Sequence, residues 1–174
     1  MSHCGLICEA QEWFEKMESK FGIHRDVMHY TCMVDVFGRA GRLDDALKLI
    51  HEMESLSSSS SQYVNLRPNI VTWTTLLGAC RTHVDVKTAE YAAEMVHKLD
   101  SMDASAYVLL YNTYSAAGQF DKIQMICEKM KGEGIQRRAG KSMIQINGKM
   151  HTFIAHDKSH SSSDQIYNEL NAIV

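Results

Sequence analysis

Proline is nearly absent from this 174-residue sequence: Pro68 is the single one. Long Val/Ile/Thr-rich alternation is absent too, which favours helices over sheets. Charge of one sign is not in excess. The formal net charge is −3, which excludes a protein held on nucleic acid by bulk positive charge. No apolar run approaches the ~18 residues that cross a membrane. The five cysteines, Cys4, Cys8, Cys32, Cys80 and Cys127, are odd in number and scattered, and no N-x-S/T acceptor occurs. That pattern points to a reducing compartment rather than a secreted disulfide scaffold. The opening "MSHCGLICEAQEWF" has neither a secretory apolar core nor the Arg-rich, acid-poor look of a transit peptide.

What is present is a repeat. The strings "HYTCMVD" (29–35), "TWTTLLG" (72–78) and "AYVLLYN" (106–112) align Tyr30, Trp73 and Tyr107. Met33, Leu76 and Leu110 then fall together, as do Val34, Leu77 and Tyr111. Eleven residues past each aromatic come Gly41, Val84 and Gly118, and five further on Ala46, Ala89 and Ile123. "GLICEAQEWFEKM" (5–17) aligns Ala10 with Ala46, so the chain opens halfway through a unit. Each unit carries two apolar-periodic segments, which predicts a helical hairpin. The glycine ends the first helix, where positive φ is needed. Asp44 and Asp121 are expected to cap or charge the second. Such hairpins stack into an α-solenoid.

The aromatic spacing is 34 residues from Trp73 to Tyr107 but 43 from Tyr30 to Trp73. The excess lies in the Ser-rich stretch 55–66, read as a disordered insertion. The period changes at "SMIQINGKMHTFIA" (142–155), where two alternating segments flank Asn147-Gly148. That dipeptide predicts a type I′ β-hairpin, followed by an N-capped helix over 161–174. Residues 121–151 carry Lys122, Lys129, Lys131, Arg137, Arg138, Lys141 and Lys149 against three acids, a net of +4, a candidate basic patch for RNA or a partner. His151, His156 and His160 have no cysteine pair beside them and no helical spacing, so no metal and no cofactor is assigned.

The string "HYTCMVDVFGRAGRLDDALKLIHEM" (29–53) resembles a pentatricopeptide unit. The whole chain resembles the end of a plant organellar pentatricopeptide repeat protein of the PLS class, with its E and E+ extensions. On this resemblance residues 1–26 are half of an L-type repeat, 27–69 an S-type repeat with the insertion at 55–66, 70–103 and 104–138 the first and second E motifs, and 139–174 the E+ region. The fold class implied is mainly α: a solenoid of helical hairpins with a small C-terminal β-hairpin plus helix. Three positions depart from the family pattern: Val84 stands for Gly, Met143 for Trp and Ala139 for Pro.

The resemblance implies sequence-specific binding of single-stranded organellar RNA, in mitochondrion or chloroplast, for cytidine-to-uridine editing. The fifth and last residues of a repeat read one base, which places base readout at Thr31 and Asn69, a pair implied to prefer adenine. Asp26 is the last residue of the preceding repeat and gives a partial readout. Thr74 and Asp103 hold the matching positions of the first E motif but are not counted as readers. The partners implied are a deaminase domain of the DYW type, in cis or in trans, and other editing factors, with no membrane. Docking of that domain is assigned to the hairpin residues Met143, Ile144, Ile146, Gly148, Met150, Phe153 and Ile154. The chain itself is not expected to be an enzyme. A cytidine deaminase needs H-x-E and C-x-x-C, and no histidine here is followed at the second position by Glu, nor are two cysteines three apart. The competing reading is an α-solenoid protein–protein adaptor with no RNA role.

Overall fold

The computed structural model describes residues 2–59, 63, 65–135, 140–154 and 158–173. They fall into two units, Met1–Gln136 and Arg137–Val174. The first is all helical: α1 (Ser2–Ser19), α2 (Val27–Arg39), α3 (Leu43–Ser59), α4 (Ile70–His83), α5 (Val86–Leu99), α6 (Ala104–Ala116) and α7 (Phe120–Gly132). The aligned aromatics sit in the first turns of α2, α4 and α6 and are buried. The main helix contacts join elements one or two places apart, such as α2 with α3 and α4, and α4 with α5 and α6. Stacked α-hairpins of this kind are a solenoid.

The small residues do what their size suggests. Ala46 and Ala89 are fully buried where the second helices meet the first. Val34, Leu76 and Leu77 fill the space beside Tyr30 and Trp73. A smaller cluster around Tyr107, Tyr114, Ile126 and Met130 closes the last hairpin. Phenol–carboxylate ties run alongside: Tyr30 Oη donates to Glu52 at 3.1 Å, Tyr114 to Glu90 at 2.7 Å and Tyr107 to Glu133 at 2.8 Å. Burial and the facing carboxylate push all three phenols up, Tyr107 to about 12.

The Ser-rich stretch departs from the disordered reading. Helix α3 runs on through Ser59. Ser57 is buried, and the Ser58 and Ser59 hydroxyls donate to the carbonyls of Glu54 and Ser55, each at 2.8 Å. Hydroxyls that bond back to the preceding turn fit a helix without added burial. Leu66 is buried, and Tyr63 Oη lies 3.4 Å from Glu18. These two residues anchor the stretch to the core. Residues 60–62 and 64 of the insertion lie outside the described ones.

The helix starts also differ in part. Asp44 and Asp121 sit inside the first turns of α3 and α7, where they favour the dipole, but α7 is capped by Gln119 with no side-chain bond. Among the second helices, α5 is the one with an aspartate cap among the described residues: Asp85 accepts from the Thr88 N–H at 3.1 Å and the Thr88 hydroxyl at 2.7 Å.

The C-terminal unit holds an antiparallel pair, β1 (Lys141–Ile146) and β2 (Lys149–Ile154), and α8 (Ser163–Ile173). The register runs from Lys141↔Ile154 to Ile146↔Lys149. Asn147 and Gly148 both take positive φ, 50° and 79°, as a type I′ turn requires.

The first helices end alike. Five-residue backbone bonds close α2 (Arg42 N–H to Phe37, 2.9 Å), α4 (Asp85 to Cys80, 3.0 Å) and α6 (Gln119 to Tyr114, 2.9 Å). Gly41 and Gly118 adopt φ of 73° and 68°, and Val84 is forced to 57° at the matching position. A β-branched residue is strained there, by roughly 1–2 kcal/mol. Val84 is 43% exposed, so its burial is only partial. Val84→Gly is therefore expected to stabilise the chain by about 1 kcal/mol after the extra entropy of glycine. Urea unfolding would read this as a higher midpoint at unchanged slope; an unchanged or lower midpoint contradicts the strain.

Candidate nucleic-acid interface

A helix begins with unpaired N–H groups, and a short polar side chain just before it accepts one of them. At each unit boundary the last residue does this for the next first helix. Asp26 caps α2, accepting from the His29 N–H at 3.0 Å, while the Asp26 N–H donates to His29 Nδ1 at 3.2 Å. The His29 N–H holds the Asp26 carboxyl below the usual carboxylate range. Asn69 caps α4, with Oδ1 accepting from the Thr72 N–H at 3.0 Å. Asp103 caps α6, accepting from the Ser105 N–H at 2.6 Å. The three last residues thus share one structural role.

Thr31 and Asn69 are brought together through a third residue. Thr31 Oγ1 lies 2.8 Å from Thr72 Oγ1, and the Thr72 hydroxyl donates to Asn69 Oδ1 at 3.2 Å. Thr72 is completely buried, Thr31 half-buried and Asn69 exposed. The cluster therefore leaves its two outer members accessible and hides the link. Two exposed apolar residues stand at the same offset from their caps, Met28 after Asp26 and Val71 after Asn69. The pair in the first E motif is not linked: Thr74 Oγ1 donates back to the Ile70 carbonyl at 2.8 Å, and Asp103 is engaged with Ser105. Sequence spacing alone missed Thr72. A signal was available in the hydroxyl at the third position of α4, where α2 has His29 and α6 has Ala106.

Two of the basic side chains are engaged by acids and aromatic rings of the first unit. Lys122 pairs with Glu90 at 2.6 Å and lies over the Tyr114 ring at 5.3 Å. Its ammonium holds the Glu90 carboxyl below the usual range. Lys129 lies over the Tyr107 ring at 5.6 Å and 3.9 Å from Glu133. Counting charge within 121–151 overlooked Glu90, which comes from α5. Lys131 is exposed on α7. Lys141 and Lys149 start opposite strands and so stand at opposite ends of the hairpin. Arg137 and Arg138 lie outside the described residues.

The C-terminal unit leaves Met143, Ile144, Ile146, Met150 and Ile154 exposed, and half covers Phe153. By the register, Ile144, Ile146 and Phe153 share one face, and Met143, Met150 and Ile154 the other. Phe153 stacks on His160 with centroids 5.1 Å apart, and His160 Nε2 lies 2.8 Å from His151 Nδ1. His156 lies outside the described residues.

Comparison with known proteins agrees with this architecture. A family model described as PPR repeat matches residues 21–54, and one described as E motif matches residues 83–145. Two Arabidopsis thaliana pentatricopeptide repeat-containing proteins named as mitochondrial are 39% and 40% identical to this chain, over 173 and 170 residues. These alignments cover 99% and 97% of this chain and 26% and 22% of the relatives. A third from the same plant, with no compartment in its name, is 38% identical over 99% of this chain and 27% of its own length. The chain spans about a quarter of the length of these curated relatives. Helical hairpins stacked through buried aromatics, the matched repeat and the matched E motif together establish that this chain belongs to the pentatricopeptide repeat family and carries the family's E motif.

Proposed function

We propose that this chain is a non-catalytic module of a sequence-specific, organellar RNA-binding protein that acts in cytidine-to-uridine editing. Its S-type repeat, 27–69, reads one base of single-stranded RNA through Thr31 and Asn69, with adenine preferred. The observation that carries this reading is the junction of α2 and α4, where a hydroxyl and a carboxamide sit together, linked from below by Thr72. A hydroxyl and an amide suit a base edge, and an amide suits adenine. Met28 and Val71 supply exposed apolar surface beside the two caps. Asp26 adds the partial readout of the preceding repeat. The compartment favoured is the mitochondrion, the one printed in the names of two relatives.

The test changes the hydrogen-bonding group at both positions. Fused behind an array of repeats with assigned bases, the chain is expected to favour adenine at one RNA position. Thr31→Asn combined with Asn69→Asp should move that preference to uridine, by family resemblance. Gel-shift titration on a base-substituted RNA series reads the result. No base dependence in either protein would favour the adaptor reading instead.

The E motifs and the E+ region, 70–174, act in this proposal as a platform for a DYW-type deaminase domain, in cis or in trans. Support comes from Met143, Ile144, Ile146, Met150 and Ile154, apolar side chains that the C-terminal unit does not cover. Lys131, Lys141 and Lys149 are exposed and able to steer RNA or an acidic partner surface, and Arg137 and Arg138 belong to the same basic stretch. Gly148→Val disfavours the I′ turn. It should reduce editing of a matched RNA by an added family deaminase domain while RNA affinity stays unchanged. Equal loss of both, or loss of neither, overturns docking through the hairpin.

A further inference from the structure

We infer that Thr72, a buried residue outside the reading pair, is a positioning residue that fixes the hydrogen-bond polarity of Thr31 and Asn69, so that together they accept an amino-type base edge and reject a keto-type one. The inference rests on the RNA reading proposed above.

The argument is a count of donors and acceptors. The Thr72 N–H donates to Asn69 Oδ1 at 3.0 Å. This cap orients the carboxamide, because the opposite flip would set its NH₂ against a backbone N–H. The second acceptor site of Oδ1 takes the Thr72 hydroxyl at 3.2 Å. A hydroxyl has one hydrogen, and that of Thr72 is now committed to Asn69. The 2.8 Å contact between Thr72 and Thr31 therefore requires Thr31 to donate and Thr72 to accept. Thr31 is left with lone pairs only, and Asn69 with two amide N–H donors only. The relay runs one way, from Thr31 through Thr72 to Asn69.

The outer face of the pair thus reads acceptor at Thr31 and donor at Asn69. A base that offers an exocyclic amine beside an unprotonated ring nitrogen is complementary: the amine donates to Thr31, and the ring nitrogen accepts from Asn69. Adenine and cytosine have that edge. Guanine and uracil place a carbonyl oxygen beside a ring N–H, which sets acceptor against acceptor and donor against donor. A buried or mismatched polar group of this kind costs more than a made bond gains. Complete burial of Thr72 excludes water from the relay and keeps it single-valued.

Thr72→Val keeps the shape of the side chain and the backbone cap but removes the relay. The Thr31 hydrogen is then free to turn outward and donate to a carbonyl oxygen. The expected signature is a gain for keto bases rather than a loss for adenine. The adenine-over-guanine ratio should fall by roughly fivefold, mainly through tighter guanine binding, since about half of a bidentate contact changes sign. Thr72→Ser, which restores the hydroxyl, should restore the ratio. A purely structural role for Thr72 would instead weaken all four bases together.

The experiment titrates the full 174-residue chain with four short single-stranded RNAs that differ at one base, followed by NMR at low salt, for wild type, Thr72→Val, Thr72→Ser and Asn69→Asp. Asn69→Asp retains a capping oxygen but has no donor at all, so it should also lose the adenine preference, and it decides the matter if Thr72→Val fails to fold. An adenine-over-guanine preference that persists in Thr72→Val, or in Asn69→Asp when Thr72→Val does not fold, overturns the relay while leaving the RNA reading intact. No base preference in the wild type defeats the RNA reading, and this inference with it.

Discussion

Every first helix of this solenoid has to begin somewhere, and the polar group that satisfies its leading N–H constrains everything around it. Asp26, Asn69 and Asp103 occupy the same place in consecutive units because α2, α4 and α6 each need an acceptor there. A cap holds its side chain in one orientation. It also places that side chain at the end of a unit, beside the exposed start of the next helix. A residue that must face a helix start is therefore available, with its remaining atoms, to face a ligand. The structural role of Asn69 and the reading role proposed for it use different atoms of one carboxamide.

The solenoid was legible because its signals are periodic. Tyr30, Trp73 and Tyr107 repeat, the small residues Ala46 and Ala89 follow at a fixed distance, and all are buried. The hairpin was legible from Asn147-Gly148, whose positive φ angles follow from local chemistry. Other features depend on contacts distant in sequence. The Ser-rich stretch has the composition of a linker, but Leu66 and Tyr63 tie it to the core, and its hydroxyls bond back along α3. The run of lysines looks like free charge in sequence, yet Glu90 reaches Lys122 from 32 residues away. Val84 shows the reverse: the sequence pattern calls for glycine, and the backbone takes the glycine conformation although valine is there.

The candidate site was half legible. Thr31 and Asn69 came from a resemblance, and nothing in their spacing required them to meet. Their meeting depends on Thr72, 41 residues from Thr31 along the chain. A threonine in the first turn of a helix is unremarkable in sequence. Only the packing of α2 on α4 turns it into a link. The unlinked pair Thr74 and Asp103 holds the same fifth and last positions of its unit, so position alone does not separate the two.

The central claim is that Asn69 caps α4 and contacts a base at the same time. Amide NMR of the chain, with hydrogen exchange before and after addition of a short adenine-containing RNA, measures both halves at once. The account predicts that the Asn69 side-chain NH₂ resonances shift on binding while the Thr72 backbone N–H stays protected. Loss of protection at Thr72, or an Asn69 side chain unmoved while other resonances shift, would contradict it.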